Sequence, residues 1–425
     1  MSEGMPQPKG QRVLFIGIEF VDPNFSGNGV YSRTIVKSLL SLNKVDVHVL
    51  CGRPDQDRNK DVTLSSHDLE QFMKNDRDER SGKLSISTVP LKTWKKLGSN
   101  SSWEQLADVA STNGQIQRDI SSFDPTVIFG VDWTSYQVYR RLKTNIPFYY
   151  FVFRTFSAEE SLTKDERQWY IDKELEAQYG SSACIVLSAV DKKWNVDKFS
   201  LDRPMKCMVL NPPLRQDFLE LYNVDQELRS APTCKTKRKY ITCCSRLEPS
   251  KRPDRFVSLV CAMSDFLKER KLVPLLIGSV TDPSYANELM NRMKESFNID
   301  REECLIMGFK KDPADLKNIW INTILNIHPA LYESYGMTII EASTFAAPTL
   351  LDSNASIGAE DLLHGPNRFS VDMSDIPKAT TYLKKLLADE ILLFQTGLQA
   401  QQIAVKWDDK EHSKAMQNIL DGKIL

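Results

Sequence analysis

Two glutamates eight positions apart, Glu333 and Glu341 in ESYGMTIIE, directly follow the apolar run TILNIHPA and enclose Gly336. An apolar run closed by His328 and Pro329 reads as a strand, and the residues from Gly336 to Phe345 read as a helix, so the segment falls on a strand-to-helix turn. Free N–H groups and the positive end of the helix dipole make such a turn a phosphate site, and a glycine there lets a ligand approach the backbone. If both glutamates were helical, they would lie roughly 12 Å apart along the axis. An acid/base pair acting on one bond needs about 5 to 9.5 Å. The spacing therefore suits two carboxylates gripping different parts of one elongated ligand.

Upstream, CCSRLEPSKRPD sets Arg246 and Lys251 in the loop after the strand YITCC. Fixed cations there would stabilise negative charge on a phosphate held at that turn. Near the N-terminus, SGNGVYS carries Gly27, Asn28 and Gly29 after the strand VLFIGI; alone, this pair of glycines reads equally as a helix start. Ile357, Gly358 and Ala359 follow the strand PTLLD in the same way. Among the histidines, His328 reads as a packed strand-end residue or a donor-side group, while His48, His67, His364 and His412 form no metal or nucleophile set. Asp55-x-Asp57 and Asp76-x-Asp78 match a metal-holding D-x-D in form, yet both lie in charged loop, and no metal is expected.

The elements that would position these groups alternate strand and helix. Apolar runs VLFIGI, VDVHVL, LSISTVP, TVIFGV, FYYFVF and ACIVLS in the first half, and YITCC, LVPLLIG, CLIMGF, TILNIHP and PTLLD in the second, suit strands buried on both faces of parallel sheets. A single helix is expected from about Ser102 to Ile120, a charged one from about Ala158 to Gln178, and another from about Asp254 to Glu269. The stretch 55–82 reads as a charged surface excursion. Proline-punctuated, basic sequence around 212–238 reads as a boundary. The expected plan is a flexible segment 1–10, a Rossmann-like domain 11–212, a linker 213–238, a second Rossmann-like domain 239–405, and a terminal helix within 406–425 that packs back on the first domain. The 425 residues exceed what one core usually organises.

With 55 Lys and Arg against 56 Asp and Glu, the formal charge is -1, which removes any bulk electrostatic case for nucleic acid. No apolar stretch nears the ~20 residues that span a bilayer, and no leader-like segment opens the chain, so a cytoplasmic protein is expected. Eight scattered cysteines without a C-x-x-C pair read as reduced, buried thiols. Lys92, Lys95 and Lys96 around Trp94 read as an exposed loop, with peripheral membrane contact as the second reading.

Glu-x7-Glu after a strand ending in His-Pro, with Gly-Met inside it and Glu-Ala closing it, resembles the signature of retaining GT-B glycosyltransferases of family GT4. The resemblance covers most of residues 11–420. It implies two Rossmann-like doubly wound parallel-sheet domains facing a central cleft, 11–212 as the acceptor domain and 239–405 as the nucleotide-sugar domain. It implies Glu333 beside the transferred sugar, Glu341 on the ribose hydroxyls, and Ser334 with the amides of Gly336, Met337 and Thr338 toward the diphosphate. Arg246 and Lys251 match the family's Arg and Lys, and Gly29 and Gly358 match its two glycine loops, although Ala359 stands where a second glycine is usual. Many relatives carry a histidine after the fourth strand of the first domain; here Arg154 stands near that place. Arg154 and Asn28 are the acceptor-side candidates. The implied donor is a UDP- or GDP-linked sugar with no tightly bound cofactor, and the acceptor is left open among glycan, protein, lipid, nucleoside and small molecule. A catalytically silent GT-B scaffold and a GT-B phosphorylase or epimerase are the competing readings.

Overall fold

The computed structural model describes residues 10–21, 27–54, 82–91, 102–158, 162–199, 206–228, 238–280, 282–298, 305–307, 313–363 and 369–423. The excursion at 55–81, the two D-x-D segments, Lys92, Lys95, Lys96, Trp94, His67 and His364 lie outside them. The chain divides into two compact units, one of residues 1–158, 162–212 and 409–425, the other of 159–161 and 213–408.

The first unit is built on seven strands: β1 (Gln11–Gly17), β2 (Val45–Pro54), β3 (Leu84–Leu91), β4 (Val127–Val131), β5 (Phe148–Val152), β6 (Ala183–Val186) and β7 (Cys207–Val209). They lie in the order β3-β2-β1-β4-β5-β6-β7, every adjacent pair parallel. The β1 and β4 runs are buried on both faces because helices cover both sides of the sheet: α1 (Gly27–Leu40), α2 (Ser102–Thr112), α3 (Gly114–Phe123), α4 (Asp132–Leu142), α5 (Lys164–Tyr179) and α6 (Ala189–Phe199). The strand order reverses direction between β1 and β4, the place where open α/β sheets bind ligands at their carboxyl ends.

The helix expected from Ser102 to Ile120 is two helices. Asn113 interrupts it, and its Oδ1 accepts the N–H groups of Gln115 and Ile116 at 2.9 and 3.1 Å, capping the second piece. A side chain that competes for backbone donors starts a new helix more readily than it continues one. Helix α5 starts six residues later than expected, where Thr163 and Glu166 form a capping box.

The second unit contains α7 (Gln216–Leu228), β8 (Tyr240–Cys244), α8 (Pro253–Ala262), α9 (Ser264–Glu269), β9 (Val273–Gly278), α10 (Pro283–Phe297), β10 (Leu305–Met307), α11 (Pro313–Ile321), β11 (Thr323–His328), β12 (Tyr332–Glu333), α12 (Met337–Thr344), β13 (Thr349–Asp352), β14 (Ser356–Ile357), α13 (Glu360–Leu363), β15 (Phe369–Val371), α14 (Ile376–Ala388) and α15 (Glu390–Ala404). Its main sheet is parallel in the order β10-β9-β8-β11-β13-β15, with its reversal between β8 and β11. Leu276, Leu325, Leu350, Phe256 and Leu383 are among the fully buried residues that bind this sheet to its helices. The stretch read as a linker thus carries the helix α7, whose Phe218 packs on Phe345 with ring centroids 6.0 Å apart.

The terminal helix α16 (Asp409–Leu420) belongs to the first unit, where it lies on α1. Ala415, Met416 and Ile419 are buried, and His412 joins the two helices: Nε2 is 3.0 Å from Tyr31 Oη and Nδ1 is 2.9 Å from Ser38 Oγ. Among the described residues no helix is long and apolar enough to cross a membrane.

Candidate functional site

Adjacent strands β8 and β11 deliver their carboxyl-end loops to one place in the second unit. Gly278 fixes the first loop. It has φ +155°, and a Cβ there would stand 1.9 Å from Ser245 O, so only glycine lets the chain after β8 lie this close. Ser245 N and Leu247 N then donate to Ile277 O and Ser279 O, both at 2.9 Å. Arg246 pairs with Glu248 at 3.1 Å, and a 3-10 turn over Pro249–Lys251 carries Lys251 back toward the strand ends.

Lys251 Nζ meets Glu333 Oε2 at 2.6 Å across 82 residues of sequence. Glu333 is held in extended backbone: β12 pairs with β14, and Gly358 N donates to Glu333 O at 2.9 Å. Gly358 thus acts on Glu333 through the backbone. Buried His328 at the end of β11 points Nε2 to within 3.6 Å of the same carboxylate oxygen, beyond hydrogen-bond range, and that nitrogen has no hydrogen-bond partner among the described residues. Burial opposes ionisation of Glu333, but the attraction of Lys251 and His328 outweighs it and holds the carboxyl well below the usual range.

Gly336 turns the chain from β12 into α12. Its φ is +94°, and a Cβ there would meet Ile339 Cδ1 at 2.9 Å. A side chain is therefore strained at this corner, and the helix begins with no side-chain cap on its first amides. Met337 and Thr338 supply those amides, and Thr338 Oγ1 ties the corner to the sheet by donating to Cys244 O at 3.1 Å. Ser334 is buried, with Oγ 3.1 Å from Tyr332 Oη.

Glu341 is set apart from this cluster. Because Glu333 is extended, the helical span of 12 Å does not describe the pair, and the two carboxylates have different partners. Glu341 is buried in α12 and faces Arg215, whose NH1 is 3.4 Å from Oε1 and whose NH2 is 2.5 Å from Asp217 Oδ2. Burial pushes the Glu341 carboxyl up to about 7, against the opposing pull of Arg215. Sequence reasoning missed Arg215, which sits in the proline-punctuated stretch read as linker.

In the first unit, Gly27, Asn28 and buried Gly29 form the first turn of α1. Asn28 Nδ2 donates to Asp132 Oδ2 at 3.3 Å, and the N–H groups of Phe153 and Arg154 donate to Asp132 Oδ1 at 2.9 and 3.3 Å. The Arg154 guanidinium lies 5.1 Å from the Phe156 ring centroid. Asp132 thus gathers both acceptor-side candidates at the strand reversal. It was not singled out from sequence, although an apolar strand ending directly in an aspartate was a usable signal. Its backbone is left-handed at φ +55°, and burial pushes its carboxyl up to about 7, against the two backbone N–H bonds.

These two sheets, each doubly wound, define the GT-B fold. Residues 224–403, within the second unit, match the family model described as Glycosyl transferases group 1. Solved structures with the same fold include a sucrose-phosphate synthase from Thermosynechococcus elongatus, similar at TM-score 0.73 and 12% identity over 97% of this chain and 98% of that one. They include the Anabaena protein HepE in complex with UDP and glucose, at TM-score 0.66 and 13% identity over 97% and 100%. An E. coli trehalose-6-phosphate protein bound with UDP-2-fluoro glucose matches at TM-score 0.65 and 12% identity over 98% and 99%. A comparison with curated protein sequences finds no match.

Proposed function

We propose that the chain is a retaining glycosyltransferase of the GT4 type that moves a hexose from a UDP- or GDP-linked donor to an acceptor hydroxyl. The observation that carries this reading is the Lys251–Glu333 pair beside the uncapped start of α12, within the segment that matches the group 1 family. UDP and UDP-sugar ligands in the Anabaena and E. coli relatives support a nucleotide-sugar donor. In this reading Arg246 and Lys251 take the charge that builds on the diphosphate, and the first amides of α12 bind its oxygens. Ser334 and Gly336 line the same corner, and Gly358 keeps Glu333 extended.

Glu333 stays ionised across the working pH range, so it does not act as a proton donor; it orients the sugar and favours positive charge at the anomeric carbon. The acceptor oxygen bonds to that carbon as the carbon–oxygen bond to the diphosphate breaks, and the acceptor proton passes to the departing phosphate oxygen. Asn28, Arg154 and Asp132 form the acceptor side. The six described cysteines are free thiols, which fits the cytosol.

The test is thermal stabilisation by UDP, GDP, ADP and their sugars, on the wild type and Glu341→Ala. One nucleotide should stabilise the wild type selectively and lose its effect in the variant. A folded wild type that responds to none would leave a GT-B scaffold without donor chemistry.

A further inference from the structure

Arg215 is a charged residue in an apolar setting. It follows Leu214, which is 2% exposed, its guanidinium lies 5.0 Å from the Phe218 ring centroid, and Phe218 is fully buried. A cation kept there costs desolvation and must be repaid by its partners. Those partners are two carboxylates of opposite standing. Asp217, at the start of α7, takes NH2 at 2.5 Å and is itself partly exposed. Glu341, in the middle of α12, takes NH1 at 3.4 Å, and its side chain is 8% exposed.

We infer that Arg215 is a positioning residue of the donor site: it engages Oε1 of Glu341 and leaves Oε2 to a vicinal diol, the ribose of a nucleoside diphosphate. This rests on the proposed donor role of Glu341. The geometry favours positioning over direct contact, because Arg215 spends its two terminal nitrogens on carboxylates and lies against Phe218. It also explains how a carboxylate on a buried helix face keeps a charge suited to accepting hydrogen bonds from hydroxyls. The charged and titratable groups facing Glu341 are Arg215, Asp217 and the thiol of Cys244 at the end of β8, which burial holds protonated. Of these only Arg215 favours the ionised carboxylate, since Asp217 pushes the other way.

Removal of Arg215 therefore weakens nucleotide binding near neutral pH and restores it only at higher pH, where Glu341 ionises unaided. The experiment titrates UDP, GDP and ADP into the full chain between pH 6 and 9.5, for wild type, Arg215→Met, Arg215→Lys and Glu341→Gln. The nucleotide's own ionisation appears in the Glu341→Gln profile and is divided out. For the nucleotide that binds, Arg215→Met should lose at least tenfold in affinity at pH 7.5, with its midpoint moved up by a unit or more, and Arg215→Lys should recover most of that loss. A loss equal at every pH, or no loss, overturns the inference.

A second arm needs no ligand. Carbon-13 NMR of side-chain carboxyls, with Glu341 identified by its absence in Glu341→Gln, should show the Glu341 midpoint rising in Arg215→Met; an unmoved midpoint also overturns it. If Arg215→Met does not fold, Arg215→Gln takes its place in both arms. Wild-type binding that Glu341→Gln leaves intact would instead sink the donor role of Glu341, with the NMR arm still reporting the pairing.

Discussion

The two units bury carboxylates by different means. In the second, Glu333 and Glu341 each face a cation, Lys251 at 2.6 Å and Arg215 at 3.4 Å. In the first, Glu174 is buried against N–H and hydroxyl donors: Phe156 N at 2.6 Å, Ser157 N at 3.3 Å and Ser157 Oγ at 2.5 Å. Its carboxyl is pushed up to about 7 by burial, against those hydrogen bonds, with Asp132 adding to the rise. Hydrogen-bond donors and a close cation both favour the ionised carboxyl, and burial opposes both; only at Glu333 does the cation win. Within the second unit the 2.6 Å pair holds Glu333 low, whereas Glu341, 3.4 Å from Arg215 and with Asp217 also near, is pushed up to about 7 by burial, as Glu174 is in the first.

The largest expected effect comes from breaking the close pair. Lys251→Met should lower the rate of sugar transfer by about 10² to 10³, as loss of a charge-stabilising donor does in other active sites. It should also lower stability by on the order of 1–3 kcal/mol, since Glu333 then keeps a half-buried charge without its partner. Adding Glu333→Gln should return the stability and leave the rate low. Single and double variants compared by melting temperature and turnover check both parts; a double variant as unstable as Lys251→Met would break the comparison.

Glu174→Gln tests the other half. The folded-state carboxyl titrates near 7 against an ordinary value of 4.5. Its contribution to stability is therefore fully present below about pH 4.5 and is lost as pH rises through 7. A shift of that size corresponds to about 3 kcal/mol, at 1.36 kcal/mol per unit. Glutamine keeps the acceptor for the Phe156 and Ser157 amides without the charge. Urea unfolding at pH 5 and pH 8 should show a smaller fall in stability for the variant than for the wild type, and equal falls would mean that another group carries the slope.

This contrast explains what could be read in the sequence. The apolar strands and the Glu333-to-Glu341 corner were legible because each is local: a run of buried residues, a glycine where the backbone turns left-handed, a helix start. The link between Lys251 and Glu333 was legible only as a shared motif. The contact itself spans 82 residues and follows from β8 and β11 being neighbours. Arg215 was hidden because prolines and charge mark a loop by composition, while its contact with Glu341 depends on the packing of α7 against α12. Helix α4 was missed because its sequence, DWTSYQVYRRL, is largely polar; Trp133, Tyr136 and Val138 are buried, with Tyr139 and Leu142 packed beside them. Asp132 opens that helix with φ +55°, a conformation that propensities do not anticipate.

The smallest effect sharpens the comparison within the first unit, where buried His412 lies between two hydroxyls. Burial lowers His412 to about 3, so it bridges Tyr31 and Ser38 as a neutral ring. A folded-state value below the ordinary 6.5 means the contribution to stability is present above pH 6.5 and is lost as pH falls toward 3. This slope is opposite in sign to that of Glu174. Ser38→Ala leaves His412 Nδ1 without its partner and should cost about 1 kcal/mol, within the range for one buried hydrogen bond. Because the ring is already neutral, that cost should be the same at pH 6.5 and pH 8, measured by urea unfolding of the same two proteins. A cost that vanished at one of these pH values would mean that the bond joining α1 to α16 depends on charge after all.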